Sequence, residues 1–219
     1  MTAFTIRLIA VITMIVDHIG LFFFQNITIL RLIGRISFLL FAWLIANGAY
    51  HTHNIHVYFK RLVLCALISQ VPFILANRQL HPDAWFLNAL FTLSIGLGAI
   101  MLVQKTSRAW LRVVITFGAV SLAQILPTDY GAFGVLIVAS CYFFFNRPLL
   151  LLLSQIALYF GEFFFHQIVN HFVSIEVLGI FGVIFVLLYN GKPGPKTRYL
   201  VYIFYPLHYV IIYCLQLVL

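Results

Sequence analysis

Two short strings hold the residues whose chemistry stands out in this chain. Asp17 and His18 are adjacent inside an apolar run, and Arg31 and Arg35 follow in Arg-Leu-Ile-Gly-Arg. Helix neighbours point about 100° apart, so Asp17 and His18 do not form a dyad with each other. One of them must find its partner on another helix. A histidine, with an ordinary pKa of about 6.5, is suited to removing a proton at neutral pH, which makes His18 a candidate general base. Asp17 would then hold an arginine or orient another group. Arg31 and Arg35, at i and i+4, share one helix face, and Gly34 lets a backbone or a ligand approach them. Two guanidinium groups on one face can hold a carboxylate, a phosphate or a developing oxyanion. The competing reading is an ion pair of Asp17 with an arginine that only locks helices together, with Arg31 snorkelling to the headgroups.

Other polar residues join this list more weakly. His208 follows Pro206 in Tyr-Pro-Leu-His; the proline removes a backbone hydrogen bond, kinks its helix and re-aims the histidine. Glu162 and Glu176 flank an outer loop holding His166 and His171, and Glu162 is the better candidate to meet a substrate. Asn88 opens a helix at the outer face and is a second substrate-binding candidate. Lys60, Arg61 and Arg108, with Lys105 and Arg112, could bind the phosphates of a cytosolic cofactor, although membrane topology alone accounts for them. His51, His53 and His56 read as interfacial polarity. The cysteines Cys65, Cys141 and Cys214 have no paired spacing, so neither a disulfide framework nor a zinc site is expected, and no metal site is assigned.

The elements that must position these groups follow from composition. The chain has 219 residues, 63% hydrophobic and only 8% charged, against about 25% charged in soluble domains. That excludes an ordinary soluble enzyme, a disordered chain and a nucleic-acid-binding module. A spanning helix takes roughly 20 residues, which predicts an all-α polytopic integral membrane protein with about nine transmembrane helices and a single domain over 1–219. The spans fall near 7–25, 28–48, 58–76, 87–104, 110–126, 131–146, 148–165, 174–190 and 198–218, divided by Gly, Pro, Asn and charged turns. With the N-terminus cytoplasmic, Arg7, Lys60, Arg61, Lys105, Arg108, Arg112, Arg147, Lys192, Lys196 and Arg198 fall inside, as the positive-inside rule expects. Arg31 and Arg35 fall in the outer part of span two, where topology does not explain them. Ionisable groups at membrane depth cost about 2.5–3.5 kcal/mol each. Asp17, His18, Arg31, Arg35, Glu162, Asn88 and His208 are thus expected to share a slab from the bilayer centre to the outer leaflet. No internal repeat is visible, which speaks against a two-fold transporter.

The motifs Ile-Val-Asp-His-Ile-Gly (15–20), Leu-Arg-Leu-Ile-Gly-Arg-Ile-Ser-Phe (30–38), Arg61 with Ile-Ser-Gln-Val-Pro-Phe (68–73), Asn88 with Phe91-Thr92-Leu93, and Tyr205-Pro206-Leu207-His208 occur in this order. Together they resemble the TraX family of conjugal-transfer membrane proteins, along nearly the whole chain. The resemblance implies acetylation of the N-terminal amine of pilin subunits. It also implies kinship with membrane acyltransferases that pass an acetyl group from cytosolic acetyl-CoA to an acceptor, relying on an intramembrane histidine and nearby arginines. His18, Arg31 and Arg35 match that pattern, with Asp17 and His208 accompanying them.

The expected function is therefore an acetyl-CoA-dependent N-acetyltransferase of the bacterial cytoplasmic (inner) membrane. Its expected partners are a pilin or another membrane-associated protein and the lipid bilayer, with no nucleic acid. His18 would take the amine's proton, and Arg35 with Arg31 would meet the oxyanion. The alternatives are a proton-coupled transporter and a non-catalytic pilus assembly factor.

Overall fold

The computed structural model describes residues 1–80, 82, 85–169, 171, 174–195 and 198–218. Lys196, counted above among the inner basic residues, and Asp83 of the loop before Asn88 lie outside them. The described residues form ten α-helices. They are α1 (Ala3–Phe22), α2 (Thr28–Gly34), α3 (Ile36–His51), α4 (Ile55–Asn77), α5 (Ala89–Val103), α6 (Ala109–Ile125), α7 (Gly131–Phe143), α8 (Pro148–Val169), α9 (Gly182–Leu187) and α10 (Arg198–Val218). A 3-10 segment, Ile175–Phe181, leads directly into α9. The chain is a polytopic membrane protein. Five helical stretches are long and apolar enough to cross a bilayer: Ala3–Phe22, Thr28–His51, Ile55–Asn77, Pro148–Val169 and Val201–Val218. Four shorter apolar helices, Ala89–Val103, Ala109–Ile125, Gly131–Phe143 and Ile175–Leu187, occupy the remaining expected spans. Helix α6 turns almost its whole surface outward: Phe117 is 71% and Ile125 78% exposed. Side chains of that kind are stable facing lipid.

Local chemistry sets the boundaries. Thr2 caps α1 by accepting from the Thr5 amide at 3.2 Å, so the first helix starts four residues before the expected position and ends at Phe22. Asn54 caps α4 through the Val57 amide at 3.0 Å. Span two is interrupted at Arg35, which splits it into α2 and α3. Span eight begins as a 3-10 helix, capped by Ser174 Oγ on the Glu176 amide at 3.2 Å. His166 lies in the last turn of α8 rather than in a loop, because that helix continues to Val169.

The helices group into two compact units. The first contains Met1–Gly48 and Ile137–Lys196. In it α1 packs on α2, α2 on the 3-10 segment, and that segment on α8. Trp43, 2% exposed, stacks on Phe145 and meets the edge of Tyr189. The start of α1 is tied down by Ala3 and Phe4, whose amides donate to Lys192 and Pro193 carbonyls at 2.9 and 3.1 Å. The second unit contains Ala49–Leu136 and Thr197–Leu219, with α10 against α4, α4 against α5 and α5 against α6.

Candidate functional site

Two glycines bring α1 and α2 together. A Cβ on Gly20 would lie 2.7 Å from Leu30 Cβ, and one on Gly34 would collide with the Asp17 side chain. Asp17 therefore rests directly on Gly34, between Arg31 and Arg35. Its carboxylate takes Arg31 Nη1 on Oδ2 at 2.6 Å. It also takes Arg35 Nη2 on Oδ1 and Oδ2 at 2.6 and 2.7 Å. Asp17 and Arg35 are both buried. Arg35 Nη1 donates to Glu176 Oε1, and its Nε donates to the Arg31 carbonyl at 3.4 Å. The result is two arginines and two carboxylates, formally neutral as a group, joining α1, α2 and the 3-10 segment. Neutrality is what allows such charges to exist at membrane depth.

The interruption of span two belongs to this arrangement. A Cβ on Gly179 would lie 2.9 Å from the Arg35 carbonyl, and one on Gly182 3.1 Å from the Ile36 carbonyl. Small residues at both positions let the 3-10 segment and the start of α9 lie against the backbone at the break, which brings Glu176 to Arg35.

The two arginines differ in what remains available. Arg35 is directed to Asp17, Glu176 and the Arg31 carbonyl. Arg31 uses Nη1, on Asp17 Oδ2 and more loosely on the Asp17 carbonyl at 3.5 Å. Among the described residues its Nε and Nη2 have no partner, and its side chain is 22% exposed. His18 is half-buried beside the cluster. Its Nδ1 lies 2.7 Å from the Met14 carbonyl, and its ring stacks on Phe22 with centroids 6.0 Å apart. The carbonyl can only accept, so Nδ1 carries a proton. Arg31 and Arg35 both act electrostatically on His18.

Glu162 belongs to the same unit. Its Oε1 accepts from Ser174 Oγ at 3.2 Å and pairs with His166 Nε2 at 3.1 Å. Charge counting alone could have found Glu176, rated below Glu162 from sequence: two intramembrane arginines require a second carboxylate besides Asp17. Tyr159, buried on α8 against Gly179, had no such signal.

The remaining candidates lie in the second unit. Asn88 is fully buried. Its Nδ2 donates to the Ala66 carbonyl and to Gln70 Oε1 at 2.9 and 2.8 Å. Its Oδ1 caps α5 by accepting from the Leu90 amide at 3.1 Å. His208 is buried, with Nδ1 3.2 Å from the Phe204 carbonyl and its ring among Phe204, Tyr205 and Tyr209. The carbonyl that Pro206 orphans is that of Tyr202, and the Cys65 thiol takes it at 3.5 Å. Lys60, Arg61, Lys105, Arg108 and Arg112 are all exposed. They gather at one end of this unit: Gln104 Nε2 donates to the Ala49 carbonyl at 3.5 Å, and the Phe59 ring lies 3.4 Å from where a Gly98 Cβ would sit. Among the described residues no three His, Cys, Asp or Glu side chains converge as metal ligands would.

The profile of the TraX protein family matches residues 3–216. The chain belongs to the TraX family. It is similar to a probable fimbrial assembly protein FimC, serogroup H1, of Dichelobacter nodosus, at 29% identity over 230 residues, covering 94% of this chain and 92% of that protein. No solved structure matches. With its apolar spans, family membership makes the chain a multi-pass protein of the bacterial inner membrane.

Proposed function

We propose that this TraX-family protein is a membrane-embedded acetyltransferase that moves an acetyl group from cytosolic acetyl-CoA to an acceptor amine, the N-terminus of a pilin or a similar membrane-associated protein. Family membership and likeness to a fimbrial assembly protein support a pilus-related role. Acetyl transfer rests on the site itself. One observation carries it: a histidine with its Nδ1 fixed lies beside an arginine that keeps unused donors, both backed by a charge-balanced cluster.

In this mechanism His18 Nε2 takes a proton from the attacking amine. The new N–C bond forms at the thioester carbonyl, and Arg31 Nε and Nη2 donate to the oxygen that becomes negative. The C–S bond then breaks, and the imidazolium returns its proton to the sulfur, so CoA leaves as the thiol. Asp17, Arg35 and Glu176 hold this geometry. No cysteine or serine is needed as a nucleophile. Lys60, Arg61 and Arg108 are exposed on the second unit, with positive charge that attracts anionic groups. By the positive-inside rule their loops, and the N-terminus, would lie on the cytosolic side.

Incubating the purified protein with pilin and acetyl-labelled acetyl-CoA tests the proposal. Label is expected on the pilin N-terminus. With His18→Ala it should fall at least ~100-fold, the usual contribution of a general base, while the variant stays folded in the membrane. Normal transfer by that variant would remove His18 as the base. Capture of pilin with its N-terminus left free would instead favour a non-catalytic assembly factor.

A further inference from the structure

Gln155, Tyr159, Glu162 and His166 follow one another at helical spacing on α8, so they form one polar seam on an otherwise apolar helix. Two atoms on that seam are buried without a hydrogen-bond partner among the described residues: Gln155 Oε1 and Glu162 Oε2. The Glu162 side chain is 10% exposed, and Ser174 and His166 both address its other oxygen. The arginine of the neighbouring cluster is directed to Glu176 and Asp17 instead. Tyr159 lies within electrostatic reach of both Glu162 and Glu176.

Gln155 Oε1 is an acceptor, and so is Glu162 Oε2 while its carboxylate is ionised; an ionised Glu162 lacks a donor and repels a phosphate or carboxylate ligand. A buried carboxylate oxygen is held best by a charged N–H. A tyrosine and a second carboxylate within reach add the electrostatic surroundings that favour a cation. The seam ends at His166, which is 36% exposed.

We propose that Glu162 Oε2, framed by Tyr159 and Glu176, is the subsite that first receives the acceptor, as a protonated primary ammonium. Calling this ligand the acceptor rests on the acetyl-transfer reading; the binding itself does not. The subsite separates recognition of the amine from its deprotonation at His18.

The test uses the purified full-length protein in detergent, without acetyl-CoA, titrated with alanine methyl ester and separately with tetramethylammonium. The two carry the same charge, but only the first has N–H donors. Single-site binding of the ester is expected by calorimetry, at least tenfold tighter than tetramethylammonium. Glu162→Gln should weaken ester binding at least tenfold and leave the melting temperature of the ligand-free protein close to wild type. Equal binding of the two cations, wild-type affinity in Glu162→Gln, or no ester binding at all would overturn the subsite; the last result would assign the seam to buried water. The wild-type contrast stands even if the variant folds poorly. Ester binding with no acetylated product would keep the subsite and remove the enzymatic reading. Acetylation by Glu162→Gln at an unchanged KM for the acceptor would do the reverse.

Discussion

The two units bury different kinds of polar group. The first gathers full charges: Asp17 and Glu176 against Arg31 and Arg35, with donors on Arg31 and an acceptor on Glu162 left over. The second uses neutral groups: it satisfies Asn88 fully where α4 meets α5, while Ser94 Oγ and Gln216 Oε1 stay buried without a hydrogen-bond partner among the described residues. Asn88 and Gln70 lock α4 to α5, and the Cys65 thiol repairs the carbonyl that Pro206 leaves open. Saturated amides hold helices in place and have nothing left to offer a ligand. A charged cluster with unused valence costs more to build, and that is where chemistry can be placed.

The comparison is open to mutation, beginning with the largest effect. Asp17→Ala would leave two guanidinium groups facing each other without a carboxylate between them. Removing one partner of a buried ion pair costs about 3–5 kcal/mol. The variant is expected to lose its cooperative melt in detergent, and a wild-type melting temperature would show that the cluster is not buried as described. Gly34→Ala drives a methyl into Asp17 and is expected to destabilise by about 1–3 kcal/mol. Gly118→Ala, with nothing within 4 Å of the new Cβ, is the matched control and should melt at or slightly above wild type.

In the second unit, Asn88→Ala removes a helix cap and two further hydrogen bonds. Its expected cost is about 1–3 kcal/mol, with kcat for acetyl transfer unchanged in protein that remains folded. A loss of kcat without loss of stability would move Asn88 from scaffold to site. The smallest effect is expected from Cys65→Ala, about 0.5–1 kcal/mol for a weak thiol hydrogen bond, read as a small drop in melting temperature.

Much of the architecture was legible in the sequence because lipid makes hydropathy a strong signal. All nine apolar segments are present, and most of the breaks among the described residues fall at Asn, Pro, Gly or charged turns. The partnership of Asp17 with the arginines was legible too, since geometry forbids a dyad with His18 and few acids exist to choose among. The break at Arg35 was not. It depends on Gly179 and Gly182 lying against carbonyls of span two, more than 140 residues away in the chain, and hydropathy is blind to such contacts. For the same reason the 3-10 start of span eight was invisible, and with it the reach of Glu176 to Arg35. The unequal availability of the two arginines depends on hydrogen-bond saturation, which composition and spacing do not encode.

Intact-mass spectrometry of pilin from cells with the wild-type chain, without it, and with His18→Ala tests the central claim most directly. Pilin from wild-type cells is expected to be heavier by one acetyl group at its N-terminus, and pilin from the other two to be unmodified. Pilin of identical mass in all three, with the protein folded in the membrane, would contradict it.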